Sequence, residues 1–96
     1  MSESKDSYFL GIYATFDRVA EEYGPLQLFR TDGLAVRSFI SMLKDPKLSE
    51  FASDYWLYHL GRYNPLSGDI ESFENGPVRI ILDDRTAVEA VGESHE

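Results

Sequence analysis

The spacing of hydrophobic positions changes twice along the chain. From Tyr8 to Phe16 (Tyr-Phe-Leu-Gly-Ile-Tyr-Ala-Thr-Phe) apolar residues run almost without a break, the pattern of a strand covered on both faces. Gly11 inside it marks a bulge or a close packing contact. Asp17 to Tyr23 has local helix propensity but is too short to be helical without tertiary support, and Gly24-Pro25 ends it. Leu26 to Arg30 is a short extended segment with Leu26 and Leu28 on one face. The period then lengthens: Ala35, Val36, Phe39, Ile40 and Leu43 recur at the three-and-four spacing of one buried helical face, with Asp32 as the expected N-cap. Arg37, Ser41 and Lys44 fall on the opposite side. Asp45-Pro46 stops the helix, because proline has no amide hydrogen and disfavours helical geometry in the residue before it. A polar connection, Lys47 to Ser53, follows.

From Asp54 to Tyr63 the period returns to two, predicting a strand. Asn64 to Asp69 forms its turn, with Gly68 the candidate for a positive φ. Ile70 to Phe73 is the return strand, Glu74-Asn75-Gly76-Pro77 a second turn, and Val78 to Leu82 a further strand. Asp83 to Thr86 either caps a last short helix through Ala90 or belongs to a frayed tail. The expected fold is a small α+β domain: a mostly antiparallel sheet of four to five strands with one amphipathic helix on one face. Residues 8–83 form this single domain, 1–7 a flexible N-terminus and 84–96 an acidic, mobile tail.

One helix covers one face of a sheet. Trp56, Tyr58 and Leu60 alternate with Tyr55, Leu57 and His59, so both faces of this strand carry apolar bulk. One set is expected to pack on Ala35, Phe39 and Leu43. The other is left for a symmetry mate, a ligand or the chain's own tail.

The chain has 96 residues, 43% of them hydrophobic and 14% aromatic, which suits one domain with a modest core. The absence of cysteine excludes disulfides, thiolate metal sites and cysteine nucleophiles. No stretch approaches the roughly 18 apolar residues of a membrane span, and the N-terminus lacks a signal-peptide pattern, so a soluble, unsecreted protein is expected. The formal charge is -8. From Asp69 onward eight acidic residues face only Arg79 and Arg85, so the acidity is concentrated at the carboxyl end. Such a surface repels phosphate and favours basic partners.

With these elements in place, a series of residues stands in order: Ile12-Tyr13 with Asp17, Ala20-Glu21-Glu22-Tyr23-Gly24-Pro25, Asp32 with Ala35-Val36-Arg37-Ser38-Phe39, Asp54-Tyr55 with Leu57 and Leu60-Gly61, and Ser67-Gly68. Over roughly residues 9 to 73 it resembles the small nonstructural protein of gokushovirus-type microviruses, bacteriophages with small single-stranded DNA genomes. The resemblance implies a protein of the infected bacterial cytoplasm, absent from the mature capsid, with a role in DNA binding, genome synthesis or packaging.

Residue chemistry predicts no enzyme and no cofactor. His59 and His95 do not assemble a Ser-His-Asp constellation, and His59 is expected to be a strand residue with a satisfied hydrogen bond. In the pairs Glu21-Glu22 and Asp83-Asp84, adjacent side chains of extended chain point apart; weak Mg²⁺ binding at Asp83-Asp84 competes with a plain solvated turn. The candidate nucleic-acid contacts are Trp56, Tyr58 and Tyr63, to stack on unpaired bases, and Arg37, Lys44, Lys47 and Arg62, to meet phosphates. The alternative is a homodimeric protein-interaction module that engages a host or viral protein through its acidic C-terminal third. A third reading has spaced carboxylates mimicking DNA phosphates.

Overall fold

A computed structural model describes residues 9–82. The expected loose termini, the last short helix and the Asp83-Asp84 site lie outside the described residues. The elements are β1 (Leu10–Asp17), β2 (Glu22–Tyr23), β3 (Gln27–Phe29), α1 (Asp32–Leu43), a 3₁₀ segment (Ser49–Asp54), β4 (Tyr55–Tyr63), β5 (Ile70–Ser72) and β6 (Val78–Ile80). They form one curled antiparallel sheet with α1 on one face.

The two longest strands, β1 and β4, pair along their whole length at the centre, from Leu10 opposite Tyr63 to Asp17 opposite Tyr55. β2 and β3 lie end to end along the outer edge of β1, and β5 and β6 along that of β4. Six strands are present where four to five were expected. The difference arises at Glu22–Tyr23, a stretch with helix propensity that instead pairs with Phe16 and Asp17. Each edge is split by a Gly-Pro step, Gly24-Pro25 or Gly76-Pro77, where proline has no N–H for a ladder. Gly68 and Gly76 adopt φ of 84° and 87° in the two turns, a region that L side chains disfavour.

Consecutive burial of Ile12, Tyr13 and Ala14 shows that β1 is covered on both faces. On the helix side the core joins Tyr13 and Leu57 to Ala35, Val36 and Phe39, with Ile40, Leu43, Tyr55 and Ile80 packed around them. Thus Tyr55, Leu57 and His59 form the helix-facing row of β4. The N-cap is Thr31 rather than Asp32: its Oγ1 accepts the Leu34 N–H at 3.1 Å. Asp32 is diverted one position into the first turn, where its Oδ1 accepts the Tyr13 hydroxyl at 2.6 Å.

A bulge in β4 reorders its faces. Ile12 lies opposite Gly61 while the next residue, Tyr13, lies opposite His59, so Leu60 is the extra residue. Past this point the alternation inverts: Tyr63 joins the face of Trp56 and Tyr58, and Arg62 goes to the helix side. Gly61 makes the crossing feasible, because a Cβ there would run into the carbonyl oxygen of Glu71 and come within 2.8 Å of Ser72 Cα. Both neighbours are backbone and cannot rotate away. Gly61→Ala is therefore expected to separate β5 from β4 and to destabilise the protein by about 1–3 kcal/mol, read as a lower urea midpoint with faster amide exchange at Glu71 and Ser72.

Candidate functional site

Among the described residues, no helix lies over the sheet face away from α1. By the registers of the six strands it carries Leu10, Ile12, Ala14 and Phe16 from β1, Tyr23 from β2, Leu28 from β3, Trp56, Tyr58 and Tyr63 from β4, Ile70 from β5 and Arg79 from β6. No carboxylate occupies a strand position on this face. The acidic strand residues Asp17, Glu22 and Glu71 all alternate to the helix side.

One half of the face is aromatic. Phe16 meets Tyr23 edge-on at 4.9 Å and Tyr58 at 6.0 Å, Tyr23 meets Tyr58 at 5.4 Å, and Trp56 lies 6.5 Å from Tyr58. Such edge-to-face pairs hold ring orientations fixed. Two guanidinium groups stack on the indole: Arg79 Cζ lies 3.7 Å and Arg18 Cζ 4.4 Å from the Trp56 ring centroid. Arg18 is held there by the Ser53 carbonyl, which accepts from Nη1 at 3.1 Å. Burial first, and then the neighbouring Tyr58, push the Tyr23 hydroxyl above its ordinary pKa.

The other half is aliphatic. Ile12, Leu26, Leu28, Tyr63 and Ile70 line a shallow groove of about 310 Å³. Leu26 and Ile70 are 64% and 70% exposed, too open to count as core, so the rim of the groove is an exposed apolar patch.

The helix side holds a separate polar cluster. Tyr13 stacks on His59 at 4.3 Å, Phe73 abuts His59 at 4.7 Å, and His59 Nδ1 lies 3.5 Å from Asp32 Oδ1. The expected satisfied hydrogen bond of His59 is not found at Nε2, which is buried without a partner among the described residues. Burial, the Asp32 hydrogen bond and the Asp32 charge all push the Tyr13 pKa upward. A raised pKa means that the folded state holds this proton more tightly than the unfolded state. The stability linked to it is fully present below about pH 10 and lost as pH rises beyond that value. Tyr13→Phe is expected to flatten the alkaline limb of a stability–pH curve measured by urea unfolding, and to destabilise by about 0.5–1.5 kcal/mol near pH 7 through the lost hydrogen bond, since the exposed Asp32 carboxylate is rehydrated.

The seven residues singled out by the sequence are divided between the layers. Trp56, Tyr58 and Tyr63 share the helix-free face, Tyr63 in its aliphatic half. Arg62 is on the helix side, its Nε donating to Glu71 Oε1 at 2.8 Å and its guanidinium 4.0 Å over Phe9. Arg37 lies on α1, Lys44 caps its C-terminus, and Lys47 is in the loop beyond, so none of these three shares the layer of the aromatic rings. Phe16, Arg18, Tyr23 and Arg79 complete the aromatic face instead. Arg18 and Arg79 are far apart in sequence and lie outside any obvious motif, and only the strand registers bring them to Trp56.

The charge distribution is more favourable than the total suggests. Residues 9–82 contain seven Lys or Arg and ten Asp or Glu, while the remaining positions hold seven acidic residues against two basic ones. Among the described residues no helix is long and apolar enough to cross a membrane. Comparison with known proteins adds one match: a family model described as phage ORF5 protein aligns with residues 10–90. The match runs past β5, through β6 and into the acidic segment. No curated protein and no solved structure matches the chain.

Proposed function

The chain belongs to the phage ORF5 protein family, and from that premise we propose that this phage accessory protein binds single-stranded DNA on the helix-free face of its sheet. It acts without catalysis, during replication or packaging of the genome of a gokushovirus-type microvirus, in the cytoplasm of the infected bacterium and outside the mature virion. The observation that carries this reading is the cluster of Phe16, Tyr23, Trp56 and Tyr58 with Arg18 and Arg79 stacked on the indole, on a face from which strand carboxylates are excluded. Aromatic rings on an open sheet stack with unpaired bases of any sequence, and arginines beside them meet the phosphates. Duplex DNA offers no unstacked base to such a platform.

Trp56 is the only tryptophan, which makes its fluorescence a direct reporter. Titration with oligothymidylate at low salt is expected to quench it with an apparent Kd of about 1–100 µM, reversed by added salt. Unchanged emission across that range removes the DNA reading.

The exposed aliphatic groove around Ile12 favours a second reading, a homodimer or protein-interaction module. Sedimentation separates the two: a concentration-dependent dimer that excludes oligothymidylate supports the second.

A further inference from the structure

Among the described residues, the arginines that the DNA reading assigns to phosphate have no anionic partner. Among the described residues, neither Arg18 nor Arg79 meets a carboxylate, whereas Arg62 is paired with Glu71. Residues 83–96 carry Asp83, Asp84, Glu89, Glu93 and Glu96 against Arg85 alone. This segment follows directly on Leu82, which packs on the helix-side core and lines a cavity of about 240 Å³ bounded by Phe39, Leu43, Trp56 and Arg79. The acidic run therefore begins four residues after Arg79 in the sequence.

We propose that the acidic segment 83–96 docks on the Arg18–Trp56–Arg79 surface of its own chain and competes with single-stranded DNA for it. This inference rests on the DNA-binding reading of the same face. Charge complementarity selects the occupant: the surface offers two cations on an aromatic ring, and the segment supplies five carboxylates spaced along its sequence. Reach is sufficient, since fourteen residues extend to roughly 45 Å at most. Because its effective concentration is high, the tethered segment competes without tight intrinsic affinity. DNA then binds only when its phosphate density is enough to displace the segment, which discriminates long single strands from nucleotides and short fragments. The acidity that argues against DNA binding in the whole chain becomes the element that tunes it.

The test uses the full chain. Asp83→Asn, Asp84→Asn, Glu89→Gln and Glu93→Gln are combined in one variant, and Glu22→Gln, Glu50→Gln, Asp69→Asn and Glu74→Gln in another with the same change of net charge. Two quantities are measured: the NMR signal of the single indole N–H without DNA, and the affinity for an oligothymidylate of about 15 nucleotides. The first variant is expected to shift the indole signal and to bind about tenfold more tightly than the unaltered chain. The second is expected to leave the signal in place and to change affinity by no more than about threefold. An indole signal unmoved by neutralising 83–96, or moved equally by the control, overturns the docking whatever the DNA does. A shifted indole with no oligonucleotide bound by any form upholds the docking and removes the DNA reading alone.

Discussion

Trp56→Ala is expected to weaken oligothymidylate binding by about 10- to 100-fold, or roughly 1.4–2.7 kcal/mol. Two losses combine in this one substitution. The indole is the largest stacking surface on the helix-free face, and it is also the ring on which Arg18 and Arg79 rest. Without it the guanidiniums lose the platform that orients them toward phosphate, so the salt dependence is expected to become shallower as well. Arg79→Glu is expected to weaken binding comparably, whereas Lys47→Glu, with the same charge change beyond α1, is expected to alter it by no more than about threefold. Circular dichroism establishes that each variant is folded at the temperature of the titration. Equal losses for Arg79→Glu and Lys47→Glu would assign the interaction to net charge and not to this face.

Phe39→Ala is expected to destabilise the fold by about 3–5 kcal/mol, a large part of the total for a domain of this size. Among the described helices α1 alone covers its side of the sheet, and Phe39 stands at the centre of that contact, 5% exposed among Tyr13, Ala35, Val36 and Leu57. No second helix is available among the described residues to close over the cavity. A urea unfolding curve followed by far-ultraviolet circular dichroism measures the change. A shift below about 1 kcal/mol would mean that the helix–sheet contact is looser than described.

Much of the fold is legible in the sequence because local and tertiary preferences agree. The three-and-four spacing from Ala35 to Leu43 and the alternation from Tyr55 to His59 identify the two rows that make the core. Gly68 and Gly76 stand at turn positions that need positive φ. Propensity misleads where pairing overrides it, as at Glu22–Tyr23, and where two capping residues adjoin, since Thr31 caps α1 while Asp32 answers Tyr13.

The candidate site was half legible for a single geometric reason. A strict period of two along β4 groups Arg62 with Trp56 and Tyr58 and sets Tyr63 apart. The extra residue at Leu60 exchanges them. Nothing in Leu60-Gly61 announces a bulge beyond the glycine itself, so the basic residues of the face had to come from elsewhere. Arg18 sits just past the end of β1 and Arg79 in the middle of a three-residue edge strand; both reach Trp56 through registers that no local pattern encodes.

Binding of single-stranded DNA to the helix-free face is mapped by NMR. With isotopically labelled protein and unlabelled oligothymidylate at low salt, shifts are expected to concentrate at Phe16, Arg18, Tyr23, Trp56, Tyr58 and Arg79, while the amides of α1 stay in place. Shifts centred on Arg37, Lys44 and Lys47, or none at oligonucleotide concentrations up to about 100 µM, would contradict it.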